Sequence, residues 1–255
     1  VTPTAAPGKV HFVGAGPGAP DLITLRGARL LEDADVVLHD ALVHPGTLAL
    51  ARRARCLAVG KRADRVSVDQ RFINRALVEA AQRHRLVVRL KGGDPALFGR
   101  LQEEIDALAA AGIGYEVVPG VTAATAAAAD LGVSLTRRGV ARSVVFATPR
   151  VGRGEAPGGW AADADTLALY MGAGEAPAVA DALLRQGRSP GLPVAVVENA
   201  SLPDRQTHRL TLAGLRDGAP RGTDGPALVL VGRVFAATQA SGRERLADAS
   251  AHAAL

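Results

Sequence analysis

Residues 9–20 read KVHFVGAGPGAP: a short run of β-favouring residues, Lys9 to Val13, breaking into the loop Gly14-Ala15-Gly16-Pro17-Gly18-Ala19-Pro20. Beyond it, residues 21–33 carry Leu22, Leu25, Ala28, Leu30 and Leu31 at helical spacing, and Asp21 is placed to cap that helix. Residues 34–38 form a second apolar run, the signature of a parallel strand buried on both faces. Strand, glycine loop, helix, strand is the opening unit of an α/β fold.

The alternation continues outward. Helices are predicted over 47–53, 68–83 and 101–111, and strands over 56–59, 86–90 and 115–118. Phe72, Leu77 and Val78 are the inward candidates of the longest helix. A glycine loop, Lys91-Gly92-Gly93-Asp94-Pro95, follows the fourth strand, and Pro119-Gly120-Val121-Thr122 follows the fifth and leads into an Ala-rich helix ending near Asp130. Residues 143–147, 166–170, 194–198, 207–211 and 227–231 are strand candidates of a second unit, with a helix over 176–185 and a surface loop over 148–165. The expected organisation is two α/β domains, 9–120 and 121–238, with a ligand cleft between them and a terminal helix or tail over 239–255.

Composition narrows the function classes. Of 255 residues 48% are hydrophobic but only 3% aromatic, so the core must be built from Ala, Val and Leu. The net charge of +5 would suit a phosphate backbone or a small polyanion, but the basic residues are scattered with no aromatic platform, which argues against nucleic acid and places many of the arginines on a solvated surface. Cys56 is the single cysteine and lies in a predicted strand, so a buried inert thiol is expected and a disulfide is excluded. The six histidines form no HExxH array, so no metal site is expected. No apolar run reaches membrane-spanning length. Residues 1–8 lack the pattern of a signal peptide and read as loose, so the expected compartment is the cytoplasm.

The glycine loops leave several readings open. The first has the strand-to-helix context of a dinucleotide site, but Pro17 removes an amide and breaks the GxGxxG spacing. It is a plain turn or a loop shaped around another cofactor or a substrate. The second is not a P-loop, because Lys91 precedes its glycines and no GKS or GKT follows. It is an ordinary βα turn or a place of close backbone approach to a ligand, with Asp94 able to accept hydrogen bonds from an amine or a ribose hydroxyl.

Taken in order, VHFVGAGPGAPDLITLRGARLLEDADVVLHDALV, VGKR, VVRLKGGDPALFGR, YEVVPGVTAATAAAADLGVSLTRR, ARSVVFATPR and LALYMGAG closely resemble the uroporphyrinogen-III C-methyltransferase family, part of the two-domain tetrapyrrole methyltransferases. The resemblance runs from about Lys9 to Val234. It implies a homodimeric enzyme that moves methyl groups from S-adenosyl-L-methionine to C2 and C7 of uroporphyrinogen III, giving precorrin-2 and S-adenosyl-L-homocysteine, without a metal. It implies that Pro20 borders the cofactor and that Gly92, Gly93 and Asp94 line its methionine and ribose portions. Leu97 and the Thr122–Ala123 pair would lie nearby, with Met171, Ala200 and Ala227 at the adenine end. On the substrate side it implies Arg100, Glu103, Arg138 and Asp40. Arginine forks suit the eight carboxylates of uroporphyrinogen III, and Glu103, its pKa adjusted by Arg100, is the candidate proton acceptor.

This chain departs from the family pattern at Ala19, at Leu101-Gln102 where Gly-Gly is common, and at Arg137 and Gly139, where His and Asp are usual. The resemblance leaves two other readings: a methyltransferase acting on another corrin ring such as precorrin-4, and a non-catalytic tetrapyrrole-binding protein. A diphthine-synthase-like enzyme is a more distant likeness. No stretch resembles a nicotinamide-binding or chelatase extension, so the expected product is precorrin-2.

Overall fold

The computed structural model describes residues 8–60, 70–150 and 163–236. Residues 1–7 of the N-terminus, Lys61 and Arg62 of VGKR, the first residues of the helix expected over 68–83, most of the loop expected over 148–165 with Trp160, and residues 239–255 lie outside them. The chain divides into two units after Ala126, with Ala200–Asp204 grouped with the first.

The first unit is a five-stranded, wholly parallel sheet of order β3-β2-β4-β1-β5. Its strands are β1 (Lys9–Gly14), β2 (Val36–His39), β3 (Arg55–Ala58), β4 (Leu86–Lys91) and β5 (Tyr115–Val118). Its helices are α1 (Leu25–Asp33), α2 (Pro45–Leu48), α3 (Gln70–Arg83) and α4 (Leu101–Ala110), and α5 (Ala123–Asp130) runs across the division. The period of two in each strand separates the sheet's faces. Val10, Phe12, Val36, Leu38 and Val87 pack with Leu77 of α3 and Leu108 of α4, and Val13, Val37, Val88 and Leu90 pack with Leu31 of α1. This is a doubly wound sheet. β1 leads on towards β2, whereas the adjacent β4 leads to β5 on the other side of β1, so the order reverses between β4 and β1. In such sheets ligands bind outside the carboxyl ends of the strands at that reversal.

Three local expectations are corrected. Asp21 does not cap α1: residues 20–22 form a 3₁₀ turn, and Thr24 is the cap, its Oγ1 accepting from the Gly27 amide at 3.1 Å. The later start turns Gly27 and Leu31 inward and leaves Leu25 77% exposed. Phe72 is 51% exposed, because the inward row of α3 runs Gln70, Ile73, Leu77, Ala80 and Ala81. Cys56 is exposed, because β3 is an edge strand. Partial burial still pushes its thiol up, away from the nucleophilic thiolate.

The second unit holds a five-stranded sheet of order β6-β7-β10-β8-β9. Its strands are β6 (Val144–Ala147), β7 (Thr166–Tyr170), β8 (Pro193–Glu198), β9 (Gln206–Thr211) and β10 (Ala227–Gly232). Only β6 and β7 are parallel, and the other pairings are antiparallel. Helix α6 (Ala176–Arg185) lays Ala176, Val179, Ala180 and Leu183 on one face, against Leu167, Leu169, Val194, Val196, Val229 and Val231. Among the described residues no helix is long and apolar enough to cross a membrane.

Candidate active site

The loops leaving β4, β1 and β5, three adjacent strands, meet backbone to backbone through glycines. A Cβ added at Gly120 would lie 2.2 Å from the Gly93 carbonyl oxygen and 2.8 Å from Gly14 Cα, and one added at Gly14 would lie 2.6 Å from Gly120 Cα. No side chain fits at either position. Gly93 and Gly16 pair as an isolated bridge: the Gly93 amide donates to the Gly16 carbonyl at 2.7 Å, and the Gly16 amide returns to Gly93 at 3.3 Å. Both adopt positive φ, +66° and +80°, which only glycine takes freely. Asp94 ties the same loops together, its Oδ1 accepting from the Ala96 amide at 2.8 Å and its Oδ2 from the Gly120 amide at 2.9 Å. Each oxygen keeps a second lone pair for a ligand donor.

Gly92 is different. Its φ is ordinary, it is exposed, and an added Cβ would meet only Leu42 Cβ, at 3.8 Å. Neither packing nor backbone conformation requires a glycine there. A bare backbone beside the strand-order reversal is a shelf that a ligand can approach closely. Leu97 closes the turn by donating to the Asp94 carbonyl at 3.2 Å. Thr122 heads α5, its carbonyl accepting from the Ala126 amide and from Thr125 Oγ1, and Ala123 is the helix's first residue. Pro20 packs over Gly46, where an added Cβ would lie 2.7 Å from the proline ring.

In the second unit, Tyr170 of β7 pairs with Leu228 of β10, and Ala227 pairs with Glu198 of β8. Met171 and Ala227 therefore lie at the same end of the sheet; Ala200, two residues after Glu198 in sequence, is grouped with the first unit. Met171 is 46% exposed with φ +56°, a strained conformation for a side-chain-bearing residue and one that collects at ligand sites. Glu198 is wholly buried and accepts from Arg221 Nε and from the Gly222 amide, fastening the loop that leads to Ala227. Burial alone would raise this carboxyl, but the Gly222 amide and Arg221 outweigh it and hold it below the usual carboxylate range.

Of the predicted substrate residues, Arg100 and Glu103 touch each other. Arg100 caps α4 in a left-handed conformation and forks onto both Glu103 oxygens at 2.7 Å, with about half of each side chain exposed. The arginine's hydrogen bonds lower the Glu103 pKa, which makes Glu103 a weaker proton acceptor than its sequence position suggests. Arg138 is exposed at the tip of a turn in the second unit, where the Val140 amide donates to the Arg137 carbonyl at 2.9 Å. Gly139 has φ +75° at the third position of that turn, so the departure from aspartate has a backbone reason.

Asp40 belongs to a network that the sequence did not reveal. Its Oδ1 accepts from Arg89 Nη2 at 2.6 Å. Arg89 also donates from Nε and Nη2 to Glu104, at 3.0 and 3.2 Å, and from Nη1 to the Leu38 and Leu90 carbonyls. Lys91 Nζ donates to Glu104 at 2.8 Å, as does Gln70 at 3.2 Å. Arg89, Lys91 and Glu104 are essentially inaccessible. Burial alone would lower the Arg89 pKa, but Asp40 and Glu104 more than offset it; Lys91 is lowered by its burial and by Arg89. One signal was available: alternation places Arg89 and Lys91 on the same face as buried Val87, and Glu104 lies one turn before buried Leu108. Among the described residues no three His, Cys, Asp or Glu side chains gather as a metal site.

The sequence pattern of the Tetrapyrrole (Corrin/Porphyrin) Methylases matches residues 9–216. The siroheme synthase of Pseudomonas fluorescens is 44% identical over 237 residues, 91% of this chain and 51% of that protein. The chain thus spans about half the length of the curated relatives it matches. A Thermus thermophilus uroporphyrin-III C-methyltransferase, solved with S-adenosyl homocysteine, superposes with a TM-score of 0.77 at 39% identity, covering 89% of this chain and 98% of that one. A cobalt precorrin-4 methyltransferase superposes with a TM-score of 0.76 at 31% identity, covering 90% and 96%. Fold, loops and sequence agree: the chain belongs to the tetrapyrrole (corrin/porphyrin) methylase family.

Proposed function

We propose that this chain is an S-adenosylmethionine-dependent uroporphyrinogen-III C-methyltransferase that methylates C2 and then C7 to give precorrin-2, working as a homodimer in the cytoplasm. The observation that carries the reading is the glycine shelf at the reversal between β4 and β1, where Gly92 is bare without a packing or backbone reason. The Thermus relative, solved with S-adenosyl homocysteine, and the siroheme synthases support the assignment of donor and substrate. The fold alone does not separate this activity from that of the precorrin-4 relative. The greater identity to the uroporphyrin enzyme does favour it.

The residues fit the donor. Gly92 and Gly93 admit close approach of a ligand to the backbone, and Asp94 keeps lone pairs for an amine or hydroxyl. Leu97, Pro20 and the Thr122–Ala123 pair follow β4, β1 and β5 in sequence and would line the donor. Met171, Ala200 and Ala227 would serve the adenine, with methionine giving a polarizable wall. When bound, S-adenosylmethionine supplies an electrophilic methyl group, which an electron-rich pyrrole β-carbon takes while the carbon–sulfur electron pair stays with sulfur.

The chain must hold the macrocycle in line and exclude water. Arg138 and Arg100 anchor substrate carboxylates, which a charged planar guanidinium suits. The methylated ring carries positive charge until an N–H proton leaves. Asp40 is better placed than Glu103 to accept that N–H, because only one of its oxygens is bonded among the described residues.

Anaerobic incubation with uroporphyrinogen III and S-adenosylmethionine tests the reading. A product heavier by two methyl groups is expected. Unchanged uroporphyrinogen, or methylation only of a later corrin such as precorrin-4, would overturn it.

A further inference from the structure

The Asp40–Arg89–Glu104–Lys91 group is poor economy for a core. It buries two cations and two anions, whose combined charge is zero, where apolar residues of the same volume would be equally stable or more so. Its exposure is graded: the side chains of Glu104, Arg89 and Lys91 are 1%, 2% and 4% exposed, whereas that of Asp40 is 30% exposed. The network therefore reaches solvent at Asp40.

That opening lies beside the shelf. The Asp40 amide donates to the Leu90 carbonyl at 3.3 Å, setting Asp40 level with the end of β4, where the Lys91–Pro95 loop begins. Leu42, two residues on, is the neighbour of Gly92. Arg89 itself cannot swing, because its three nitrogens are bonded to Glu104, Asp40 and the carbonyls on either side. The fork onto Glu104 fixes the plane of the guanidinium and so the direction of the one Nη2–H that reaches Asp40, a geometry a lysine cannot reproduce.

We propose that Arg89 is a positioning residue for methyl transfer: from its buried seat on Glu104 it fixes the Asp40 carboxylate by one oxygen, so that the other meets an N–H of the substrate macrocycle. The inference rests on the activity proposed above. Arg89 does not touch substrate; it acts through Asp40, and Glu104, held by Lys91 and Gln70, acts through Arg89.

A double-mutant cycle on the full chain separates this role from a merely structural one. With uroporphyrinogen III and S-adenosylmethionine as probes, Arg89→Lys should lower kcat by about tenfold to a hundredfold, the penalty of a small misplacement in the reacting complex. S-adenosylhomocysteine affinity should be unchanged. In an Asp40→Asn background the same substitution should change kcat by less than about twofold, because its route of action is already gone. Glu104→Gln should repeat the pattern, and it serves the same cycle if Arg89→Lys fails to fold. Equal losses in both backgrounds, or a folded Arg89→Lys enzyme with wild-type kcat, would overturn the proposal. A wild-type chain that makes no methylated product would instead overturn the proposed function.

Discussion

Replacing Gly120 with alanine probes the junction of the three loops. The new methyl would stand 2.2 Å from the Gly93 carbonyl oxygen, against an ordinary contact above 3.4 Å, so about 1 Å of backbone movement is required. Gly93 is not free to supply it, since the bridge to Gly16 holds both its amide and its carbonyl. Overpacking of this kind costs about 1–3 kcal/mol, and loss of the Asp94 carboxylate's bond to the Gly120 amide adds about 1.5–3 kcal/mol. A total of about 4 kcal/mol lowers Tm by about 12 °C for a chain of this size. The same movement displaces Gly93 and Asp94, so S-adenosylhomocysteine should bind at least tenfold more weakly, about 1.4 kcal/mol. Thermal unfolding and calorimetric titration read the two effects. Gly114→Ala is the control, because an added Cβ there meets nothing within 4 Å and its φ is ordinary, so a change within about 0.5 kcal/mol is expected. If Gly120→Ala is as mild as Gly114→Ala in both assays, the backbone-to-backbone junction is wrong.

Gly93→Ala has open space but φ +66°, so it should cost about 1–2 kcal/mol in stability and also weaken S-adenosylhomocysteine, because its methyl projects onto the open shelf; unchanged affinity by calorimetry would count against that shelf. Arg138→Ala should leave the unfolding curve in place and raise KM for uroporphyrinogen III, and an unchanged KM in steady-state kinetics would remove Arg138 from the site. Glu198→Gln should be less stable than wild type at neutral pH. Because Glu198 is held low in the folded state, the wild-type advantage is full above the unfolded carboxylate range near pH 4.5 and disappears as pH falls through the folded value. Urea unfolding across that window should show the gap narrowing, and a constant gap would contradict the assignment.

The strands were legible because parallel strands covered on both faces are apolar runs with sharp glycine ends. β5 and β7 begin and end where 115–118 and 166–170 predict, and α6 spans the predicted 176–185. Phase was harder to read. In α1 and α3, Leu25 and Phe72 fit an apolar count, but the cap at Thr24 and the inward row starting at Gln70 turn them out to solvent. The loops leaving β4, β1 and β5 were legible as glycine patterns, though not that Asp94 ties two of them together. The buried network stayed hidden because its members are remote in sequence, with Asp40 and Arg89 separated by 49 positions. An arginine within VVRLK also reads as an interruption of a strand when its partners are unknown. Gly139 looked like a lost carboxylate until the turn showed its positive φ.

A crystal structure of the chain grown with S-adenosylhomocysteine would locate the donor site. The methionine portion of the ligand should lie against the backbone of Gly92 and Gly93, with a polar atom within hydrogen-bond distance of Asp94. Ligand density at the opposite, amino-terminal edge of the parallel sheet, with the Gly92–Asp94 backbone untouched, would contradict it.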